Sequence, residues 1–151
     1  MANKKSDVKA KHAYVDYLKS KGFEAEVTSS PADIKATRNG EDWYFEIKMT
    51  KREEVYFGAA TLTEWRQALA DPAHFRFVVA ITNEEESEFQ FIEYTPEEFM
   101  KYSTIPPFKV YFNINLTGKE RRKRESRKSS SKKMTEDNFE KMNRCYAELK
   151  E

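Results

Sequence analysis

The chain has 151 residues, enough for one buried core and too few for two comfortable ones. Hydrophobic residues make up 38% of it, charged ones 35% and aromatics 14%, so a core can form without disulfide or metal staples, and the lone cysteine, Cys145, excludes an internal disulfide. The opening MANKKSDVKAKH lacks the apolar stretch of a signal peptide and no run approaches membrane-spanning length, so the sequence predicts a soluble, intracellular, cytoplasmic protein with no membrane partner.

A first helix is predicted over 6–21, with Val8, Val15 and Leu18 on one face beside Tyr14 and Gly22 closing it. FEAEVTS alternates as a strand does. ADIKATR and DWYFEIKMT, joined through Asn39-Gly40, then form a hairpin with a primed two-residue turn. TLTEWRQALA has capping-box spacing, Thr61 as N-cap and Glu64 at the third helical position, with Leu62, Trp65 and Leu69 for an apolar face. HFRFVVAIT is the most apolar strand and so the most central one expected, with EFQFIEY antiparallel beside it. Thr95-Pro96-Glu97-Glu98 starts a short helix ending near Tyr102, and after Pro106-Pro107 the stretch FKVYFNINL reads as a last strand. The predicted class is an α/β (α+β) sandwich, a mixed central sheet flanked by helices.

Three parts are expected: a body over 1–118, a flexible basic linker over 119–133 and an amphipathic tail helix over 134–151. The linker holds Lys119, Arg121, Arg122, Lys123, Arg124, Arg127, Lys128, Lys132 and Lys133 against only Glu120 and Glu125. It carries about +7, which leaves about −6 for the rest of a chain whose formal net charge is +1. Such a segment gathers phosphates by counterion release, making DNA the expected partner, or serves as a soluble spacer. In the tail, Phe139, Met142, Tyr146 and Leu149 form a narrow stripe suited to the body, a second copy of the chain or another protein.

The hairpin carries the chemistry. A two-residue turn pairs Arg38 with Glu41, and extending the ladder sets Ile34 opposite Phe45, Ala36 opposite Trp43 and Asp33 opposite Glu46. One face is then apolar, and Asp33, Lys35, Tyr44, Glu46 and Lys48 share the other. Two facing carboxylates with Cβ atoms about 5 Å apart repel by roughly 3 kcal/mol at an effective dielectric near 20. Exposure to water, a neighbouring lysine (Lys35 or Lys48) or a hard divalent cation would offset that. Magnesium, which commonly takes one or two protein acids, suits the pair.

Pro31-Ala32-Asp33 followed by Glu46-Ile47-Lys48, between the two predicted helices, resembles the PD-(D/E)XK nuclease superfamily, the restriction-endonuclease-like fold. YFEIKMT, TLTEWRQAL and HFRFVVAIT are also similar to the nuclease-related domain at the C-terminus of the plant NO VEIN protein. The resemblance covers roughly residues 6 to 94. It implies metal-dependent hydrolysis of DNA phosphodiesters, with Asp33, Glu46 and the Ile47 carbonyl on Mg2+ or Mn2+ and Asp33, Glu46 and Lys48 as the catalytic set. The glutamate that this family often places on its first helix falls near Lys11 or His12, with Asp7 or Asp16 as substitutes.

The plainer readings differ. An E-x-K triplet on a wet strand face arises often by chance in so charged a chain, and Glu64 serves its helix cap, with Arg66 and Gln67 facing solvent or a phosphate. His12 and His74 lack ligand spacing, which argues against zinc. Four unclustered glycines exclude a P-loop. Cys145 has no histidine near it in sequence, which argues against a nucleophile. A catalytically inactive nucleic-acid-binding or protein-interaction module on the same fold is the alternative function.

Overall fold

The computed structural model describes residues 4–106, 109, 112, 114, 116–117 and 133–150. The chain divides into two compact units, Met1–Thr104 and Ile105–Glu151. In the first, helix α1 (Lys4–Ser20) precedes strands β1 (Glu24–Val27), β2 (Ile34–Arg38) and β3 (Glu41–Thr50). Helix α2 (Leu62–Ala70) and a 3-10 turn (Pro72–His74) lead to β4 (Phe75–Thr82), β5 (Phe89–Tyr94) and helix α3 (Pro96–Met100). The five strands lie in sequence order, antiparallel except for the β3–β4 pair, which is parallel with α2 as its crossover. This is the expected mixed sheet flanked by helices.

Local chemistry explains the elements. The amides of Gly22 and Phe23 donate to the carbonyls of Lys19 and Leu18, at 3.1 Å each, and Gly22 takes φ +90°, so α1 ends in a Schellman motif. Asn39 and Gly40 both have positive φ (54° and 78°), the backbone that a primed turn demands. The turn fixes the register: Arg38 faces Glu41, Ala36 faces Trp43 and Ile34 faces Phe45. Thr61 caps α2 and Glu64 bonds back to it, completing the box.

Both faces of the sheet are covered, which the alternation in the hairpin does not announce. On one, α1 buries Ala10, Tyr14, Val15 and Leu18 against Ile34, Ala36, Phe45 and Val78. On the other, Ala68, Phe75 and Phe77 form a second, smaller core with Trp65 and Phe99 packed on it. The supposed wet face of β3 is therefore partly interior, and Glu46 is only 6% exposed.

Three apolar assignments are corrected. Val8 is 49% exposed, Leu62 67% and Leu69 55%. Val8 falls off the stripe that Ala10, Tyr14 and Leu18 bury, and α2 presents to the sheet the face bearing Trp65 and Ala68. The strand β4 lies inside the sheet, one place from its centre, which is β3.

In the second unit, α4 spans Glu136–Lys150, with the Thr135 hydroxyl accepting from the Asn138 amide at 3.1 Å as its cap. Its stripe has Phe139 exposed and Met142 and Tyr146 half-buried; the Leu149 side chain lies outside the described residues, as do most of the strand expected over 108–116 and the basic segment through residue 132. Among the described residues, no helix is long and apolar enough to cross a membrane.

Candidate functional site

The candidate site forms where β2 stops and β3 continues. β2 reaches no further than Ile34, opposite Phe45, so residues 46–50 of β3 have no β2 partner along that edge. The Asp33 side chain fills the gap: its Oδ2 accepts the Ile47 amide at 2.9 Å, and the Asp33 amide donates to Glu46 Oε2 at 3.3 Å. The two acids meet on one side of the hairpin. In extended backbone the N–H and C=O of one residue point to the same edge, so the Ile47 carbonyl faces the Asp33 side as its amide does.

Two lysines hold the carboxylates. Lys48 Nζ lies 3.3 Å from Glu46 Oε1 and 3.1 Å from Glu64 Oε2, while Lys11 Nζ lies 2.9 Å from both Asp33 Oδ1 and Asp7 Oδ2. All of these side chains except that of Asp7 are less than one-fifth exposed. Lys35, the other lysine expected to offset the repulsion, instead turns to Asp42 at 3.7 Å. Four carboxylates against two ammonium groups leave two negative charges in excess when every group is ionised.

The titration of Glu46 answers that imbalance. Burial, then the charges of Asp33 and Glu64, push its carboxyl up to about 8 against the opposing pull of Lys48, so near neutral pH it keeps a proton. Burial acts to lower Lys48, but Glu46 and Glu64 more than offset this and hold it above its ordinary value of 10.5. Lys11 behaves alike: burial lowers it, and Asp33 and Asp7 raise it further. Both lysines therefore enter the site as cations.

Three further residues belong here that sequence reasoning did not bring in or assigned differently. Lys11 comes from α1, one helical turn after Asp7, which reaches the cluster through it; His12 and Asp16 on the same helix are exposed. Glu64 does two things at once, since the Oε2 that accepts the Thr61 amide at 2.8 Å also meets Lys48. Tyr56, in the connection between β3 and α2, lies within electrostatic reach of Lys48 and Asp7; burial raises its hydroxyl above the ordinary 10 while Lys48 opposes the shift. A tyrosine in an irregular connection gives no periodic signal.

The donor chemistry fits a small hard cation. Asp33 and Glu46, with the Ile47 carbonyl on the same edge, are oxygen donors of the kind magnesium or manganese takes from a protein, and each of their carboxylate oxygens accepts from Lys11, Lys48 or a backbone amide. Among the described residues, no group of three or more His, Cys, Asp or Glu side chains is arranged to hold a metal ion, so an ion here would rest on two carboxylates, backbone and water. Lys11 competes with it for Asp33 Oδ1.

The other sequence candidates divide. Asp33, Glu46, Ile47 and Lys48 are brought together, whereas Lys119, Arg121, Arg122, Lys123, Arg124, Arg127 and Lys128 lie outside the described residues. His74 pairs with Asp71 at 3.1 Å and Glu41 at 3.3 Å, contacts that raise its pKa, Asp71 foremost. Cys145 is free and exposed. Compared with protein-family models, curated proteins and solved structures, the chain matches none of them.

Proposed function

We propose that this chain hydrolyses DNA phosphodiesters at a PD-(D/E)XK-like site, with a magnesium or manganese ion held by Asp33, Glu46 and the Ile47 carbonyl. One observation carries the reading: Asp33 and Glu46 converge at the uncovered edge of β3 with Lys48 beside them, and the cluster holds more carboxylate than its lysines neutralise. A buried acid pair is costly in an inert fold, and a divalent cation removes that cost.

A bound divalent ion would polarise the phosphoryl oxygen and acidify water. The residues do the rest. Asp33, anchored on the Ile47 amide, and Glu46 in its ionised form would hold the ion and so set the position at which a phosphate is received. Lys48 is held as a cation, so it donates rather than accepts: it orients the attacking water or steadies charge on the phosphate, and a general-base role does not suit it. Glu64 Oε2, 3.1 Å from Lys48 Nζ, points the Lys48 ammonium into place. Hydrolysis forms a bond from water oxygen to phosphorus and breaks one ester P–O bond, the leaving oxygen taking up a proton.

A second reading is favoured by one contact. The Lys11 ammonium lies 2.9 Å from Asp33 Oδ1, a cation already in part of the space an ion would use, and this suits an inert nucleic-acid-binding module. Cleavage of plasmid DNA with Mg2+ or Mn2+ separates the two. Hydrolysis should occur with the wild type and fall about 100-fold or more in Asp33→Asn, Glu46→Gln and Lys48→Ala, each checked for folding by circular dichroism. A wild-type rate in any variant removes that residue from the mechanism. Salt-sensitive DNA binding without cleavage supports the inert module.

A further inference from the structure

The opposite face of the sheet, at the hairpin end, carries a different concentration of charge. An open cavity of about 240 Å³ lies between α1 and the strands, with Lys21, Arg38, Arg76 and Trp43 among its walls and Glu93 as its one acid. Trp43 shares the α1-side core with Phe45, while Glu46 and Lys48 follow strand alternation to the other face. The cavity is therefore separate from the carboxylate site, and a ligand bound in it neither requires hydrolysis at that site nor excludes it.

The three cations are held on aromatic surfaces. The Arg38 guanidinium lies 4.2 Å from the centroid of Phe23, that of Arg76 5.2 Å from Trp43, and Lys21 Nζ 5.5 Å from Tyr17. Among the described residues none of them forms an ion pair. Glu41, the cross-strand neighbour of Arg38, turns to His74 instead. The hydrogen bonds of Arg76 all leave from Nη1, to the carbonyls of Pro72, Ala73 and Phe75. Glu93 accepts the Tyr14 hydroxyl.

The Trp43 ring lies under the Arg76 guanidinium, while its indole Nε1 is itself buried, so its N–H reports on the cavity through the ring that Arg76 covers and not by contact with a ligand. Three cations less one carboxylate leave two positive charges in a body that is acidic outside residues 119–133. Guanidinium groups match the oxygens of a phosphate in geometry, and a phosphate monoester dianion matches the charge. We infer that this cavity is a phosphate-monoester site, with Arg38 and Lys21 as its principal ligands, Arg76 supporting them and the Trp43 N–H responding to occupancy.

The chain has two tryptophans, so its indole N–H spectrum holds two signals, and Trp65 lies on the other face as an internal control. Titration of the full-length protein with inorganic phosphate should move the Trp43 signal and leave that of Trp65 in place. Lys21 and Arg38 are exposed, so Lys21→Ala and Arg38→Ala should preserve the fold and each weaken the titration about tenfold, as loss of a charged hydrogen bond does. Acetate at equal concentration should act at least about tenfold more weakly, being a monoanion. A 5′-phosphorylated dinucleotide that outcompetes both inorganic phosphate and its 5′-hydroxyl counterpart would place the source in a nucleic-acid end; weaker action would place it in a free phosphate, and either result supports the site. An unmoved Trp43 signal, an equal response to acetate, or an unchanged titration in the Lys21→Ala/Arg38→Ala double variant would overturn it.

Discussion

Glu46 keeps its proton because ionising it places charge beside Asp33 and Glu64 in a space that water barely reaches. Its folded pKa, about 8, lies above the ordinary 4.5, so between those values the native state binds more protons than the unfolded chain. Stability therefore falls as pH rises through that window and levels off above it. Glu46→Gln removes the titration, so its melting temperature should exceed that of the wild type by a margin that widens from about pH 4.5 to about pH 8; thermal melts across that range check this, and a constant margin would refute it. Lys11 gives a complementary test. Lys11→Glu exchanges the competing ammonium for a third acid, so the apo protein should melt lower than the wild type, while added Mn2+ should raise its melting temperature by more than it raises that of the wild type. Hydrophobic spacing alone does not reveal Lys11, because Lys11 and His12 are adjacent polar residues on the same predicted helix; helix phase sends the first to Asp33 and the second to solvent.

At the scale of elements, the Asn39-Gly40 turn sets the pairing that makes Asp33 and Glu46 neighbours, and the capping box sets Glu64 against Lys48. Gly40 has φ +78°, so Gly40→Val should cost about 1–2 kcal/mol by denaturant unfolding and loosen the acid pair with it. Thr61→Val removes the cap hydroxyl and should cost about 1 kcal/mol. Both features were legible in the sequence because turn and cap chemistry is local: Asn-Gly fixes a register within a few residues, and Thr-x-x-Glu fixes a helix start. Burial was less legible. Leu62 and Leu69 read as an inward stripe, yet α2 turns Trp65 and Ala68 to the sheet, since which side of a short helix faces inward depends on partners distant in sequence, here Phe77 and Phe99. The same covering made Glu46 interior where alternation alone assigns it to solvent, and raised its pKa as a result. The cavity beside Trp43 is of this tertiary kind too, assembled from α1, β2, β3, β4 and β5, with no spacing that announces it.

For the whole molecule, charge is divided between a carboxylate-rich site and a basic segment over 119–133. If that segment supplies the attraction to DNA, removing it should weaken binding at low salt and flatten the dependence of log affinity on log salt, measured by fluorescence anisotropy. An unchanged slope in a chain ending at residue 118 would assign the attraction to the body. The claim on which the functional account rests is that Asp33 and Glu46 share one divalent ion. Paramagnetic broadening by Mn2+ in a nitrogen-15 spectrum measures this most directly: the account predicts early loss of the Asp33, Glu46 and Ile47 amide signals, restored when Asp33 is changed to Asn. Persistence of those three signals at millimolar Mn2+, or their equal loss in the Asp33→Asn protein, would contradict it.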